Sequence, residues 1–190
     1  SSGSFEDLYV GDYWTINGVN WRIVDFDYYY RTGYVKNVLH HIVVMPDTIL
    51  RNGAMNNDFF KANAGAYDDS DGRKTHVPAM LTTVKAAFPA DKIYNFSHWI
   101  SAGMMAAPGG SVVSSGGKWV QAQLEIPSQI MLFGSSAMQP GATGGNYPPG
   151  IVIEAANQFA LFRLAPWHLP IGDDSLNQAV VQWTRDVLSP

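Results

Sequence analysis

The feature that most constrains the fold is an Asn-Gly pair between two β-prone runs, in "YWTINGVNWRIVDF" near the N-terminus. Asn17 and Gly18 both tolerate the positive φ angles of a type I′ turn, which joins antiparallel strands in a tight hairpin. Alternation along the second strand places Val19, Trp21 and Ile23 on one face. The sequence therefore predicts an antiparallel sheet whose apolar face is built around a tryptophan.

Two further segments have clear local signals. "LHHIVVMPD" predicts a short strand that ends at Pro46, because proline cannot donate to a strand ladder. "THVPAMLTTVKAAFP" has apolar residues at helical spacing, with Pro78 in the first turn and Pro89 at the end. This segment is the most distinct helix of the chain.

The remaining segments have weaker signals. "DKIYNF" and "NQFALFRLAPWHLP" are typical of strands, and residues 98–105 are predicted to form a short helix capped by Ser97. "KWVQAQLEIPSQIMLFGS" contains a strand or a short helix broken at Pro127, and "SLNQAVVQWTRDVL" suits either structure. Because strands and helices mix without a βαβ rhythm, we predict an α+β fold. We expect a mixed antiparallel sheet with one or two short helices, in a single domain over residues 1–190.

Three stretches rich in Gly, Pro or Asn are predicted to be long flexible loops, near residues 51–74, 106–117 and 135–150. The first contains "YDDSDGRK", which is not an EF-hand loop because its two terminal positions would be Tyr67 and Pro78 instead of carboxylates. An adventitious calcium site at Asp68, Asp69 and Asp71 stays open, and the alternative is a solvated acidic loop. No other cofactor is predicted.

Composition excludes several classes of protein. Only 15% of residues are charged, the net charge is -4, and no run of Lys or Arg could follow a phosphate backbone, so a nucleic-acid binder is excluded. The chain has no cysteine, which excludes disulfides, thiolate nucleophiles and Cys zinc sites. No apolar run approaches the length of a membrane span, and "SSGSFEDLYVGD" does not have the pattern of a signal peptide.

Catalytic motifs are weak, and we do not predict an enzyme. Adjacent His40 and His41 would face opposite sides of a strand, and no H-x-x-x-H pattern supports a metal site. "GGSVVSSGGKW" lacks the first Gly and the Ser or Thr of a phosphate loop, and there is no G-x-S-x-G elbow. The least favoured alternative is a glycan hydrolase, for which the available carboxylates are Asp68, Asp69, Glu125 and Glu154.

The run "VDFDYYYRTGY" carries the main prediction of a binding site. In a strand, Tyr28 and Tyr30 would share one face with Tyr29 on the other, so at least one ring would be exposed. Tyrosine offers a flat apolar face and a hydroxyl at low entropic cost, which suits a sugar ligand. The alternative is ordinary cross-strand packing. The predicted ligand-binding residues are Tyr28, Tyr29, Tyr30, Tyr34, Asp25, Asp27 and Trp119, with Asn37 as a further group for sugar hydroxyls.

Several phrases occur in an order that resembles a known family: "GSFEDLYVGDYWTINGVNWRIVDFDYYYRTG", "HHIVVMPD", "RKTHVPAMLTTVKAAFPADKI", "IMLFGS", "QFALFRLAP" and "QWTRDV". They are similar to phage and prophage proteins of gut Firmicutes that are encoded near tail or baseplate genes. The C-terminal part of those proteins resembles a C-type-lectin-like, or formylglycine-generating-enzyme-like, module. The resemblance covers nearly the whole chain, but its motifs consist of residues typical of core packing and not of catalysis.

The resemblance implies a virion protein from a phage tail, tail fibre or baseplate that contacts the host-cell exterior. Its expected partners are other virion proteins and a host-surface glycan or protein, and we expect a homo-oligomer, with a trimer favoured because repeated weak sites gain avidity. The alternative is a purely structural virion subunit. In the family the segment matching Trp183 to Arg185 leads into further strands, which this chain lacks, so a truncated or short form is expected.

Overall fold

The computed structural model of the protein describes residues 5–32, 37–54, 66–105, 112–134, 157–166, 172–173 and 178–179. For Ala66, residues 101–105 and 112–117, Gln129 and the last two pairs it describes the backbone alone. Within these residues the strands form antiparallel sheets accompanied by short helices, so the predicted α+β class is confirmed. The finer likeness to a C-type lectin remains a prediction. None of the helices described is long and apolar enough to cross a bilayer.

The N-terminal sheet has three antiparallel strands, β1 (Tyr13–Ile16), β2 (Val19–Phe26) and β3 (Ile42–Pro46), in the order β1-β2-β3. Asn17 and Gly18 have φ angles of 53° and 78°, so the predicted hairpin with two positive φ angles is confirmed. The predicted third strand is also present and ends at Pro46. A bulge in β2 lies between Ile23 and Asp25.

A second sheet is a long antiparallel hairpin of β4 (Phe96–Met105) and β5 (Val112–Ala122). The predicted helix over residues 98–105 is therefore wrong, and residues 112–117 belong to a strand instead of a flexible loop. Residues of β4 are extended because they pair with β5 along its length. The sequence of residues 98–105 alone contains no information about that partner strand. Two short strands, β6 (Gly172–Asp173) and β7 (Gln178–Ala179), form a third antiparallel pair.

The helices are short. The predicted helix is confirmed as α2 (Val77–Ala87), which has Pro78 in its first turn and ends two residues before Pro89. Ser128 caps α3 (Gln129–Phe133) by accepting a hydrogen bond from the Met131 amide, and Gly134 ends this helix with a φ of 74°. The other helical elements are α1 (Ala66–Asp69), a π-helical segment (Gly72–His76), a 3₁₀ turn (Ala90–Lys92) and α4 (Ala160–Leu164).

These helices correct three predictions. Residues 66–74, expected within a flexible loop, are largely helical, and the segment "DKIYNF" begins with a 3₁₀ turn instead of a strand. "NQFALFRLAP" forms α4 instead of a buried strand, because Leu161 and Phe162 pack side by side against the sheet from a single helical turn. Residues 55–65 of the first predicted loop, residues 106–111 of the second and the whole of the third, 135–150, lie outside the described residues.

Both faces of the N-terminal sheet are partly covered. On one face Trp21 is buried and meets Phe88, at the end of α2, edge to face at 5.3 Å between ring centroids. Val24 belongs to the main apolar cluster, to which α3 contributes Met131 and α4 contributes Leu161. A smaller cluster forms where Tyr67 of α1 packs on Ile100 of β4. Burial of these side chains is the main favourable contribution to folding.

Candidate functional site

The tyrosine run does not continue strand β2. The backbone turns after Phe26, with φ angles of 57° at Asp27 and 59° at Arg31, and the Tyr30 amide donates to the Asp27 carbonyl at 2.8 Å. Alternation therefore does not apply, and the expectation that Tyr28 and Tyr30 share a strand face is wrong. The Asp25–Asp27 pair is likewise not on one strand face, because Asp27 already lies in the turn.

The first two tyrosines serve the apolar core. Tyr29 is buried and stacks on Phe96 with centroids 4.3 Å apart. Tyr28 packs edge to face on Phe159 at 4.7 Å, and its hydroxyl donates to the Asn157 carbonyl at 2.8 Å. These rings join β4 and the start of α4 to the N-terminal sheet, so their packing alone accounts for two large aromatic residues here.

The third tyrosine belongs to a polar cluster beside the turn. Asp27 accepts from the His41 amide at 2.8 Å, and its second oxygen lies 2.7 Å from His40 Nδ1. The Tyr30 ring stacks on His40 at 4.3 Å and is also contacted by the guanidinium of Arg31. Both carboxylate oxygens of Asp27 have partners within the chain, and the Tyr30 ring is already stacked on His40.

The other predicted ligand-binding residues are dispersed. The Asp25 carboxylate accepts from the amides of Phe26 and Ala160 at 2.8 and 3.0 Å, and burial raises its pKa despite these bonds. Asn37 is buried, and its amide bonds both main-chain groups of Ser97 on β4. Trp119 meets Trp99 edge to face within the second sheet. Tyr34 lies outside the described residues. The predicted set does not form one surface.

A buried carboxylate that sequence reasoning left unconnected organises the second sheet. Only 3% of the Glu125 side chain is exposed. One oxygen accepts from the Tyr67 hydroxyl, and the other lies 3.1 Å from Arg73 Nε and 3.2 Å from His98 Nε2. Arg73 also reaches Asp68 at 2.8 Å. One side chain thus ties α1, the π-helical segment and β4 to the end of β5.

Electrostatics in this network favours the ionised carboxylate. Burial by itself raises the pKa of Glu125, but the contacts with His98, the Tyr67 hydroxyl and the charge of Arg73 outweigh it and hold the pKa below its ordinary value. A general acid in a glycosidase needs the opposite shift. Among the carboxylates considered for hydrolysis, Glu154 lies outside the described residues.

The acidic residues considered for calcium are largely engaged with cations. Asp68 contacts both Arg73 and Lys118, at 2.8 and 2.5 Å, and Asp69 pairs with Lys74. Their oxygens belong to a helix and the segment that follows it, not to a loop wrapped around an ion. Over the part of the chain that the structure describes, no group of three or more His, Asp or Glu side chains is arranged to hold a metal.

A different surface combines exposure with recognition chemistry, on the N-terminal sheet at its hairpin end. Tyr13 pairs across the strands with Arg22, and Thr15 pairs with Asn20, so alternation places all four side chains on one face. Asp47 follows β3 and joins this face through its bonds to Arg22. We call this surface the sheet platform: Tyr13, Thr15, Asn20, Arg22 and Asp47.

The platform is held rigidly by one arginine. Arg22 donates two hydrogen bonds to Asp47, at 3.0 and 2.6 Å, and a third to the Gly11 carbonyl at 2.6 Å. Hydrogen bonding to Asp47 raises the pKa of the Arg22 guanidinium above its ordinary value, so it stays charged. Its guanidinium lies 4.8 Å from the centroid of the Tyr13 ring, and the Tyr13 residue remains 54% exposed. The ring is therefore oriented and open to solvent at once.

The sequence carried a signal for this surface. Once Asn17 and Gly18 are accepted as a two-residue turn, the register of the hairpin follows, and Tyr13 must lie opposite Arg22. Since Trp21 and Ile23 face the core, Arg22 and its cross-strand partner must face away from it.

No protein-family model, curated protein or solved structure matches this chain.

Proposed function

We propose that this protein is a subunit of a phage tail, tail fibre or baseplate and that it binds carbohydrate on the host-cell surface through the sheet platform. The virion assignment rests on the order of sequence phrases that resemble tail-associated proteins. The binding assignment rests on the chemistry of the platform.

The observation that carries the binding proposal is the exposed Tyr13 ring, held in place by Arg22 beside hydroxyl and amide groups. A pyranose presents a face of C–H bonds that packs on an aromatic ring, and hydroxyls at its rim that need hydrogen-bonding partners. Thr15 donates to Asn20 at 2.7 Å, so these two side chains are ordered in advance and retain further hydrogen-bonding capacity. Preordered groups lose less entropy when a ligand binds.

The charges of the platform favour a neutral sugar. Arg22 and Asp47 form a bidentate pair, in which the positive charge is matched and both carboxylate oxygens accept a bond. An acidic glycan would gain little attraction from a cation that is already paired. Hexose units without carboxylate or phosphate groups are therefore the proposed ligand class.

The described carboxylates favour a protein that binds sugar without cleaving it. Glycoside hydrolysis uses two carboxyl groups that flank the bond, one of them with a raised pKa. Asp47 is held on both oxygens by Arg22, and Glu125 is buried with a lowered pKa. Asp25 has a raised pKa but is bound to the backbone where α4 begins.

The test is binding of labelled protein to intact Gram-positive gut bacteria, before and after chemical removal of surface polysaccharide. We expect saturable binding that is lost after removal. Tyr13→Ala should weaken it about tenfold or more, the effect of losing a central aromatic contact, while Tyr13→Phe keeps most of it. Tyr30→Ala is the matched control, because that tyrosine is half-buried in the polar cluster.

Each contrary result has a defined meaning. If Tyr30→Ala abolishes binding and Tyr13→Ala does not, the ligand site belongs to the turn and the platform is rejected. If the folded wild-type protein binds no strain, carbohydrate adhesion is rejected. A purely structural virion subunit then becomes the better proposal. Strand β1 specifically favours it, because β1 is an edge of the sheet among the described strands, and such an edge suits contact with another subunit.

A further inference from the structure

We propose that two copies of this chain associate by pairing their β1 strands antiparallel, about a twofold axis that passes beside Trp14. The result is a continuous six-stranded sheet with one platform from each copy on the same face. This contact does not depend on the proposed sugar binding, because it uses the main-chain edge of the sheet and the opposite face.

The two edges of the N-terminal sheet are unequal. β3 ends with Pro46, which has no N–H to offer a further strand, and is followed by the charged pair of Asp47 with Arg22. β1 is the other edge strand among those described, and its sequence "YWTI" contains no charge and no proline. Three of its four residues are exposed. Proteins usually protect such edges with charges, prolines or bulges, so an unprotected apolar edge indicates a partner strand.

The hydrogen-bond phase of the hairpin shows which main-chain groups of β1 point away from β2. The Ile23 amide donates to the Asp12 carbonyl at 2.8 Å, and bonded pairs alternate along an antiparallel ladder. Trp14 therefore directs its main-chain groups towards Trp21, its cross-strand partner. Tyr13 and Thr15 direct theirs away from β2, towards the side of β1 on which no other described strand lies.

A twofold axis satisfies all four of these groups with one register. Tyr13 lies opposite the partner's Thr15, and Thr15 lies opposite the partner's Tyr13, which gives two bonded pairs and four hydrogen bonds. Trp14 then lies opposite the partner's Trp14 in the non-bonded position, where facing side chains come closest. The register also keeps the faces aligned, because the twofold axis is perpendicular to the sheet.

This register creates a row of four indoles. Trp14 already lies beside Trp21 across β1 and β2, and it is 37% exposed. In the dimer the row extends through the partner's Trp14 to the partner's Trp21, and aromatic cross-strand pairs are among the most stabilising in a sheet. The two β2 strands would lie about 14 Å apart, three strand spacings, and a helix is about 10 Å wide. The two α2 helices, each of which packs on its own Trp21 through Phe88, can therefore lie side by side without a clash.

The contact is small, so we expect a dissociation constant on the order of 10 µM for the isolated chain. It is isologous and closes with two copies, unlike the trimer predicted from sequence. In the dimer two platforms act together on one glycan surface, which raises avidity without any new contact.

Single-cysteine variants test the register, since the natural chain has no cysteine. Under mild oxidation with diamide, Trp14→Cys should form a covalent dimer, because the two Cα atoms would be about 4.5 Å apart. Tyr13→Cys should not, since its symmetry mate is displaced along the strand and no longer opposite. Equal cross-linking of both variants would overturn the register.

Sedimentation velocity tests the dimer without relying on a cysteine. The wild-type protein should shift from monomer to dimer as its concentration rises, and Thr15→Pro should remain monomeric because it removes an outward N–H. Proline is tolerated on an edge strand whose N–H faces outwards, so this variant should still fold, and its circular dichroism spectrum checks that. The proposal is refuted if the wild-type protein stays monomeric or forms a trimer. It is also refuted if Thr15→Pro folds and still forms the dimer.

Discussion

Replacing the buried Glu125 by glutamine is the sharpest test of how the second sheet is held together. The substitution keeps the size and shape of the side chain and removes its charge. Three groups converge on that carboxylate, from Tyr67, Arg73 and His98. Glutamine offers one acceptor oxygen, and its amide would point two donors at a site already filled with donors.

The expected loss follows from the burial of this network. Removing one partner of a buried ion pair typically destabilises a protein by about 3–5 kcal/mol, because the remaining charge stays buried. Arg73 keeps its second partner, Asp68, and is partly exposed, which reduces the loss. We therefore expect Glu125→Gln to lower the free energy of unfolding by about 2–3 kcal/mol near neutral pH.

The assay is urea denaturation of the wild-type and variant proteins over a range of pH. The pKa of Glu125 in the folded protein lies below its ordinary value of 4.5, so folding favours the ionised form. Its stabilisation is therefore complete above the pKa of the unfolded state and is lost as the pH falls through the lower folded-state pKa. The difference between wild type and Glu125→Gln should be constant near neutral pH and shrink in acid.

The control is Asp69→Asn, which breaks an exposed pair with Lys74 and should leave the denaturation midpoint unchanged. An unchanged midpoint for Glu125→Gln at neutral pH would refute the assignment of Glu125 as the organising residue. A difference that grows in acid would refute the direction assigned to its pKa.

Two further substitutions test the contacts around the turn. Asn37→Ala should lower the free energy of unfolding, measured by urea denaturation, by about 2–3 kcal/mol, because it leaves both main-chain groups of Ser97 buried without their partner. Asn95→Ala, at an exposed position, should have little effect, and equal effects of the two substitutions would contradict this account. Asp25→Asn tests the opposite pH dependence, because burial raises the pKa of Asp25 in the folded protein. The wild type should therefore gain stability relative to the variant as the pH falls below neutral. A gain in stability on raising the pH would instead show that folding favours the ionised carboxylate.

Elements with local signals were predictable from the sequence. The hairpin was predicted because Asn17 and Gly18 supply the required φ angles within two residues. Helix α2 was predicted because its apolar spacing and both flanking prolines lie within the segment itself. The α+β class followed from the order of such segments, and all of these signals act over a few residues.

The errors occurred where distant segments decide the structure. Residues 98–105 form a strand because β5 pairs with them, and residues 160–164 form a helix because a single turn packs against the sheet. The tyrosine run was assigned to a strand by alternation, but Asp27 turns the chain and Tyr29 enters the core. In each case the packing partner lies far away in the sequence.

The candidate sites show the same division. Given the turn at Asn17 and Gly18, the register that places Tyr13 over Arg22 was implicit in the sequence, since pairing counts outward from the turn. The Glu125 network could not be predicted from the sequence. Its hydrogen-bonding partners Tyr67 and Arg73 lie 58 and 52 residues away, so local residue spacing does not indicate them. A short-range signal specifies conformation through the backbone of neighbouring residues. Only the folded chain brings a buried charge to its partners, because the free energy that offsets its desolvation comes from all of them together.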